Sequence, residues 1–92
     1  MGRLADDIRR LIQERYVIGV HASERLEQRD IMEWQVVDAA INGRLVAERP
    51  NARPNAVVEI RGLLPDGVEV TTVWSLLRRS GVAKLVTVYY AE

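Results

Sequence analysis

The sequence predicts an α+β fold, with helices in its first half and strands in its second. Three observations carry this. Up to Gly43 the apolar residues recur at helical spacing, apart from one short β-prone run. Beyond Gly43 they alternate or run in short blocks. Those blocks are separated by Pro-, Gly- and Asn-rich segments of hairpin length, which implies an antiparallel meander. The expected order is an N-terminal helix, a strand, two helices and a four-stranded antiparallel meander, with the two middle helices laid across one face of a curved sheet.

Leu4, Ile8, Leu11, Ile12 and Tyr16 fall on one helical face, so residues 3–15 read as an amphipathic helix. Asp6 and Asp7 lie near its start, where the macrodipole favours them. Tyr16 to Val20 is short, apolar and β-prone, and reads as a strand. A second helix runs from His21 to about Gln28. Asp30 and Glu33 have capping-box spacing, which starts a third helix at about Ile31. Its expected core face is Trp34, Val37, Ala40 and Ile41, and Asn42-Gly43 is a left-handed terminator. Four strands follow: Arg44–Arg49, Ala56–Leu63, Val68–Leu77 and Val82–Tyr90. Plain alternation in the last sets Leu85, Thr87 and Tyr89 against Lys84, Val86, Val88 and Tyr90. Trp74, in mid-strand, is expected in the core.

Ninety-two residues make one domain, 1–92, able to bury about 60–65% of its unfolded surface. Hydrophobic residues at 48% and charged ones at 28% are a globular balance, not a disordered one. No apolar run is long enough for a membrane helix, and the acidic N-terminus does not resemble a secretory signal, so a cytoplasmic location is expected. With no cysteine and one histidine, disulfides, thiolate catalysis and multi-His zinc sites are out, and no cofactor or metal is expected. Thirteen basic residues offset thirteen acidic ones, so no global field steers the chain to nucleic acid. Twelve of the thirteen are arginine, whose planar fork suits phosphate or carboxylate.

The segment His21-Ala22-Ser23-Glu24-Arg25-Leu26-Glu27-Gln28-Arg29 resembles the opening His-Ala-x-x-Arg-x-x-x-Arg motif of the uncharacterised domain family numbered 4258. The resemblance continues through Ile31, the helix ending at Asn42-Gly43 and the closing Thr87-Val88-Tyr89, covering roughly residues 17–92. It leaves the first helix as an extra. Met32 stands where family members often place a capping Ser or Thr, and the third meander strand is longer here. The family's element order is similar to that of RelE-type and BrnT-type toxins, small metal-free ribonucleases of bacterial toxin–antitoxin pairs. That likeness is at the level of fold alone.

On a helix, His21, Arg25 and Arg29 recur at i, i+4 and i+8, drifting about 40° per step. Like charges at that spacing cost a few tenths of a kcal/mol, so a bound anion would offset them. In the catalytic reading the arginines hold an RNA phosphate, His21 moves a proton at a ribose hydroxyl and Tyr89 supplies a proton or stacks on a base. In the structural reading Glu24, Glu27, Asp30 and Glu33 tie the arginines into ion pairs. The Arg44, Arg49, Arg53 and Arg61 series surrounds the first hairpin, but alternation does not put these side chains on one face. Two functions from different classes follow. One is a RelE-like endoribonuclease toxin acting on RNA and held by a small antitoxin protein; the zero net charge weighs against it. The other is a non-catalytic interaction module, a degenerate relative whose sheet or first helix binds a protein partner. On that helix Leu4, Ile8 and Leu11 either cover the sheet or dock a second copy as a two-fold homodimer.

Overall fold

The computed structural model describes residues 3–90. Helix α1 (Arg3–Glu14) buries Ala5, Ile8 and Ile12, the stripe its periodicity demands. Two polar contacts fix it: Glu48 Oε2 accepts from the Ala5 amide at 3.2 Å, and Arg9 Nη2 donates to the Gly43 carbonyl at 2.8 Å. Strand β1 (Tyr16–Ile18) follows, then α2 (Val20–Gln28) and α3 (Glu33–Asn42). Strands β2 (Arg44–Arg49), β3 (Val57–Leu63), β4 (Glu69–Leu77) and β5 (Val82–Tyr90) complete the chain.

The α+β class and the element order are as expected, but the sheet is not a four-stranded meander. It has five strands in the order β1-β5-β4-β3-β2, and β1 pairs in parallel with β5 from Tyr16↔Ala83 to Ile18↔Leu85. Parallel pairing needs a crossover, and α2, α3 and the meander together supply it. The local run at Tyr16 announces a strand without naming its partner.

Helix α2 stops in a Schellman turn: the Ile31 amide bonds to Leu26 O at 2.9 Å and the Asp30 amide to Glu27 O at 3.2 Å. Asp30 lies in the left-handed region, at φ 56°, so it ends α2 rather than capping α3. The cap of α3 is Met32, whose amide donates to Gln35 Oε1 at 2.9 Å. Gly43 is extended, at φ −83°, so the expected left-handed terminator is absent. A Cβ there would run into the carbonyl oxygens of Arg61 and Ala39. A Cβ on Gly62 would likewise strike the Ala39 backbone. Both glycines let α3 lie close against β3.

All three helices share one buried cluster with alternate strand residues: Val58 and Ile60 of β3, Val70 and Trp74 of β4, Leu85 and Val88 of β5. Trp74 is fully buried, its indole N–H donating to Thr72 Oγ1 at 2.8 Å, while the Thr72 hydroxyl donates to Ile60 O at 3.0 Å. Trp34 is not core. Val36, Ala39 and Ala40 form the inward stripe of α3, and Trp34 is 61% exposed.

Two β-bulges set what the other face presents. In β5, Val73 pairs with Thr87 and Trp74 with Leu85, leaving Val86 over. Leu85, Val88 and Tyr90 therefore face the helices, and plain alternation fails. In β2 the register skips Val46, so Arg44 and Arg49 emerge on the same face.

Candidate functional site

The sheet face turned away from the helices gathers polar side chains from four strands. Arg44 of β2 lies directly opposite Arg61 of β3, which in turn lies opposite Thr71 of β4, itself opposite Tyr89 of β5. One row along, Ala47, Glu59, Val73 and Thr87 are in register. The side chains link both along a row and diagonally between rows. The Tyr89 hydroxyl donates to Glu59 Oε1 at 2.8 Å, Arg49 Nη1 forms an ion pair with Glu59 Oε2, and Arg61 Nε reaches Thr71 Oγ1 at 3.4 Å. Tyr89 is 42% exposed and Thr71 is buried beneath this layer.

The four residues singled out in the sequence divide between two surfaces. His21 and Arg25 lie on α2, His21 exposed and Arg25 half-buried. Arg29 caps that helix and stacks its guanidinium over the Tyr90 ring, 4.7 Å from the centroid. Tyr90 faces the helices, whereas Tyr89 faces the opposite way. The structure thus joins Arg29 to Tyr90 and parts Tyr89 from the His21 stripe. The carboxylate network expected around the stripe does not form. Among the described residues the ion pairs are Arg10–Asp7 and Arg49–Glu59. Sequence reasoning missed Glu59 altogether. The arginine series was visible, but only the bulge at Val46 and the β2–β3 register place three of its members on one face.

The family model described as "Domain of unknown function (DUF4258)" matches residues 18–90. The chain belongs to this family. No curated protein and no solved structure matches it. The span matched by the DUF4258 model takes in α2, α3 and β2 to β5, and leaves α1 outside it. Even so, α1 is part of the core through Ala5, Ile8 and Ile12.

On the open face of this DUF4258 domain, Glu59 and Tyr89 perturb each other. The hydrogen bond from Tyr89, reinforced by Arg49, holds the Glu59 carboxyl below the usual carboxylate range against the opposing effect of burial. The same bond pushes the Tyr89 hydroxyl up. Near neutral pH the open face therefore presents an ionised carboxylate, a protonated phenol and the guanidiniums of Arg44, Arg49 and Arg61. These are a proton acceptor, a proton donor and anion-binding forks in one place. Among the described residues no cluster of His, Asp or Glu is placed to hold a metal ion, and no helix is long and apolar enough to cross a membrane.

Proposed function

We propose that this protein is a metal-free endoribonuclease of the toxin kind, and that its reaction centres on Glu59 and Tyr89. The observation that carries the reading is the Tyr89–Glu59 hydrogen bond flanked by Arg49 and Arg61 on a face no helix covers. Arginines hold the phosphodiester and stabilise the charge that grows on its equatorial oxygens. Glu59 accepts the ribose 2′-hydroxyl proton as that oxygen forms its bond to phosphorus. The bond from phosphorus to the 5′-oxygen breaks, and Tyr89 gives that oxygen its proton. The proton held by Glu59 then returns to Tyr89 along their hydrogen bond, leaving a 2′,3′-cyclic phosphate and a 5′-hydroxyl. The chemistry requires a 2′-hydroxyl, so RNA is the substrate class and DNA is not.

The test is RNA cleavage by the purified chain in excess EDTA. Cyclic-phosphate ends that vanish in folded Glu59→Gln and Tyr89→Phe, but persist in His21→Ala and Arg25→Ala, support the open face. Loss only in the His21 and Arg25 variants moves the site to α2. Absence of cleavage over several RNAs overturns the nuclease reading. A second reading, a non-catalytic interaction module, is favoured by one observation: Met32 and Trp34 each stand 61% exposed on the helical side.

A further inference from the structure

Helix α3 carries two apolar stripes. Val36, Ala39 and Ala40 are buried against the sheet. Trp34, Val37 and Ile41, at i, i+3 and i+7, line a groove with Tyr16 and Met32. Tyr16, Val37 and Ile41 are partly buried against the core and form the floor of the groove, while α1 spends its own stripe, Ala5, Ile8 and Ile12, in that core. An exposed Trp beside an exposed Met is the composition of an interface anchor, large in contact area and adaptable in shape.

The ionisable groups lining the groove are Glu33, Asp38 and Tyr16; two are acidic and none is basic. The Tyr16 hydroxyl donates to Glu33 Oε2 and Asn42 Nδ2 to Asp38 Oδ1. Each carboxylate thus has one oxygen engaged within the chain and the other turned to no donor among the described residues. A second copy docked face to face would bring four carboxylates, Glu33 and Asp38 of each chain, into one interface whose lining holds no basic residue, which like-charge repulsion opposes. A partner with cations there meets no such cost.

We infer that the groove of Tyr16, Met32, Trp34, Val37 and Ile41 is a docking site for an amphipathic helix of a different protein, whose apolar stripe seats on Trp34 and whose flanking Lys or Arg residues reach Glu33 and Asp38. Helix-in-groove recognition reads anchors at this spacing. The inference deepens the interaction reading and is independent of RNA cleavage.

The probes are two synthetic amphipathic helices with the same Leu stripe, one flanked by Lys and one by Glu. Binding to the full chain is followed by the two indole N–H resonances, with buried Trp74 as the internal reference. The Leu–Lys helix is expected to shift the Trp34 resonance and leave that of Trp74 in place. It should bind about tenfold more tightly than the Leu–Glu helix, a preference lost in Glu33→Gln/Asp38→Asn. Trp34→Ala, a change at an exposed site that should fold normally, is expected to abolish binding. Equal affinity for the two helices, or shifts confined to other surfaces, overturns the inference. So does self-association of the chain that disappears in Trp34→Ala, which would make a second copy the occupant. Because no RNA is present, failure here says nothing about the nuclease reading.

Discussion

Arg44 and Arg61 stand directly opposite each other in the β2–β3 ladder, two like charges on an open sheet face. Cross-strand pairs of like charge are destabilising, by up to about 1 kcal/mol. A site that binds an anion between them recovers that cost when occupied. Arg44→Ala is therefore expected to raise stability by a few tenths of a kcal/mol, read as a higher urea midpoint with an unchanged slope. The same variant should bind RNA more weakly and with a shallower dependence on salt. Lower stability together with unchanged RNA binding would remove the functional meaning of the pair.

The Tyr89–Glu59 bond makes stability depend on acid. The Glu59 carboxyl is depressed by the Tyr89 hydroxyl first and by Arg49 next. A depressed carboxyl contributes stability above its unfolded value of about 4.3 and loses it as pH falls through the lower folded value. Urea midpoints measured from neutral pH downwards should fall across that window, and less steeply in Glu59→Gln. In the nuclease reading, the acid limb of the cleavage profile falls in the same range.

Tyr16 tests the opposite sign. Its hydroxyl donates to Glu33, and that bond, with burial and the Glu33 charge, pushes it up to about 12. A raised group contributes stability that is complete below its unfolded value of about 10 and is lost as pH rises through the folded one. Spectrophotometric titration should show one tyrosine ionising near 12, and Glu33→Gln should bring it back towards 10. Titration of Tyr16 unchanged by that substitution would refute the contact.

Gly62 is required for space rather than for backbone freedom. A Cβ would meet the backbone of Ala39, which has no flexible end to move aside. Gly62→Ala is expected to cost about 1–3 kcal/mol, the usual range for overpacking, or more if α3 cannot lift from β3. Gly81→Ala is the informative control, because nothing surrounds its Cβ position and only its left-handed φ of 65° is strained. Chemical denaturation of both separates crowding from backbone strain.

The two tryptophans should behave as different residues. Trp74 is fully buried and its indole N–H is bonded to Thr72, so Trp74→Ala is expected to cost about 3–5 kcal/mol. Trp34→Ala should stay within about 0.5 kcal/mol of the parent. Iodide should quench one component of the fluorescence, the one that Trp34→Ala deletes.

Several features of this chain follow from local sequence. Helical spacing from Leu4 to Ile12 yields α1 with Ile8 and Ile12 inward, although Tyr16, which continues that spacing, opens β1 instead, and the Pro65-Asp66-Gly67 turn closes the β3–β4 hairpin as composition requires. These signals are legible because side chains three or four apart on a helix, or two apart on a strand, share a face whatever lies beyond them. The α+β class, the order of its elements and the arginine-rich, cysteine-free chemistry are thus determined by the sequence alone.

Tertiary structure decided the rest. The partner of β1 depends on residues 16–18 meeting residues 83–85 across most of the chain. One bulged residue, Val86, reverses the facing of everything after it, so Tyr89 leaves the His21 surface and joins Glu59 instead. Another, Val46, brings Arg44 and Arg49 to one side. Trp34 and Trp74 are the same residue type, and which of them is core depended on which stripe of α3 met the sheet. Register, bulges and packing are pairwise properties of distant segments, and no local period encodes them.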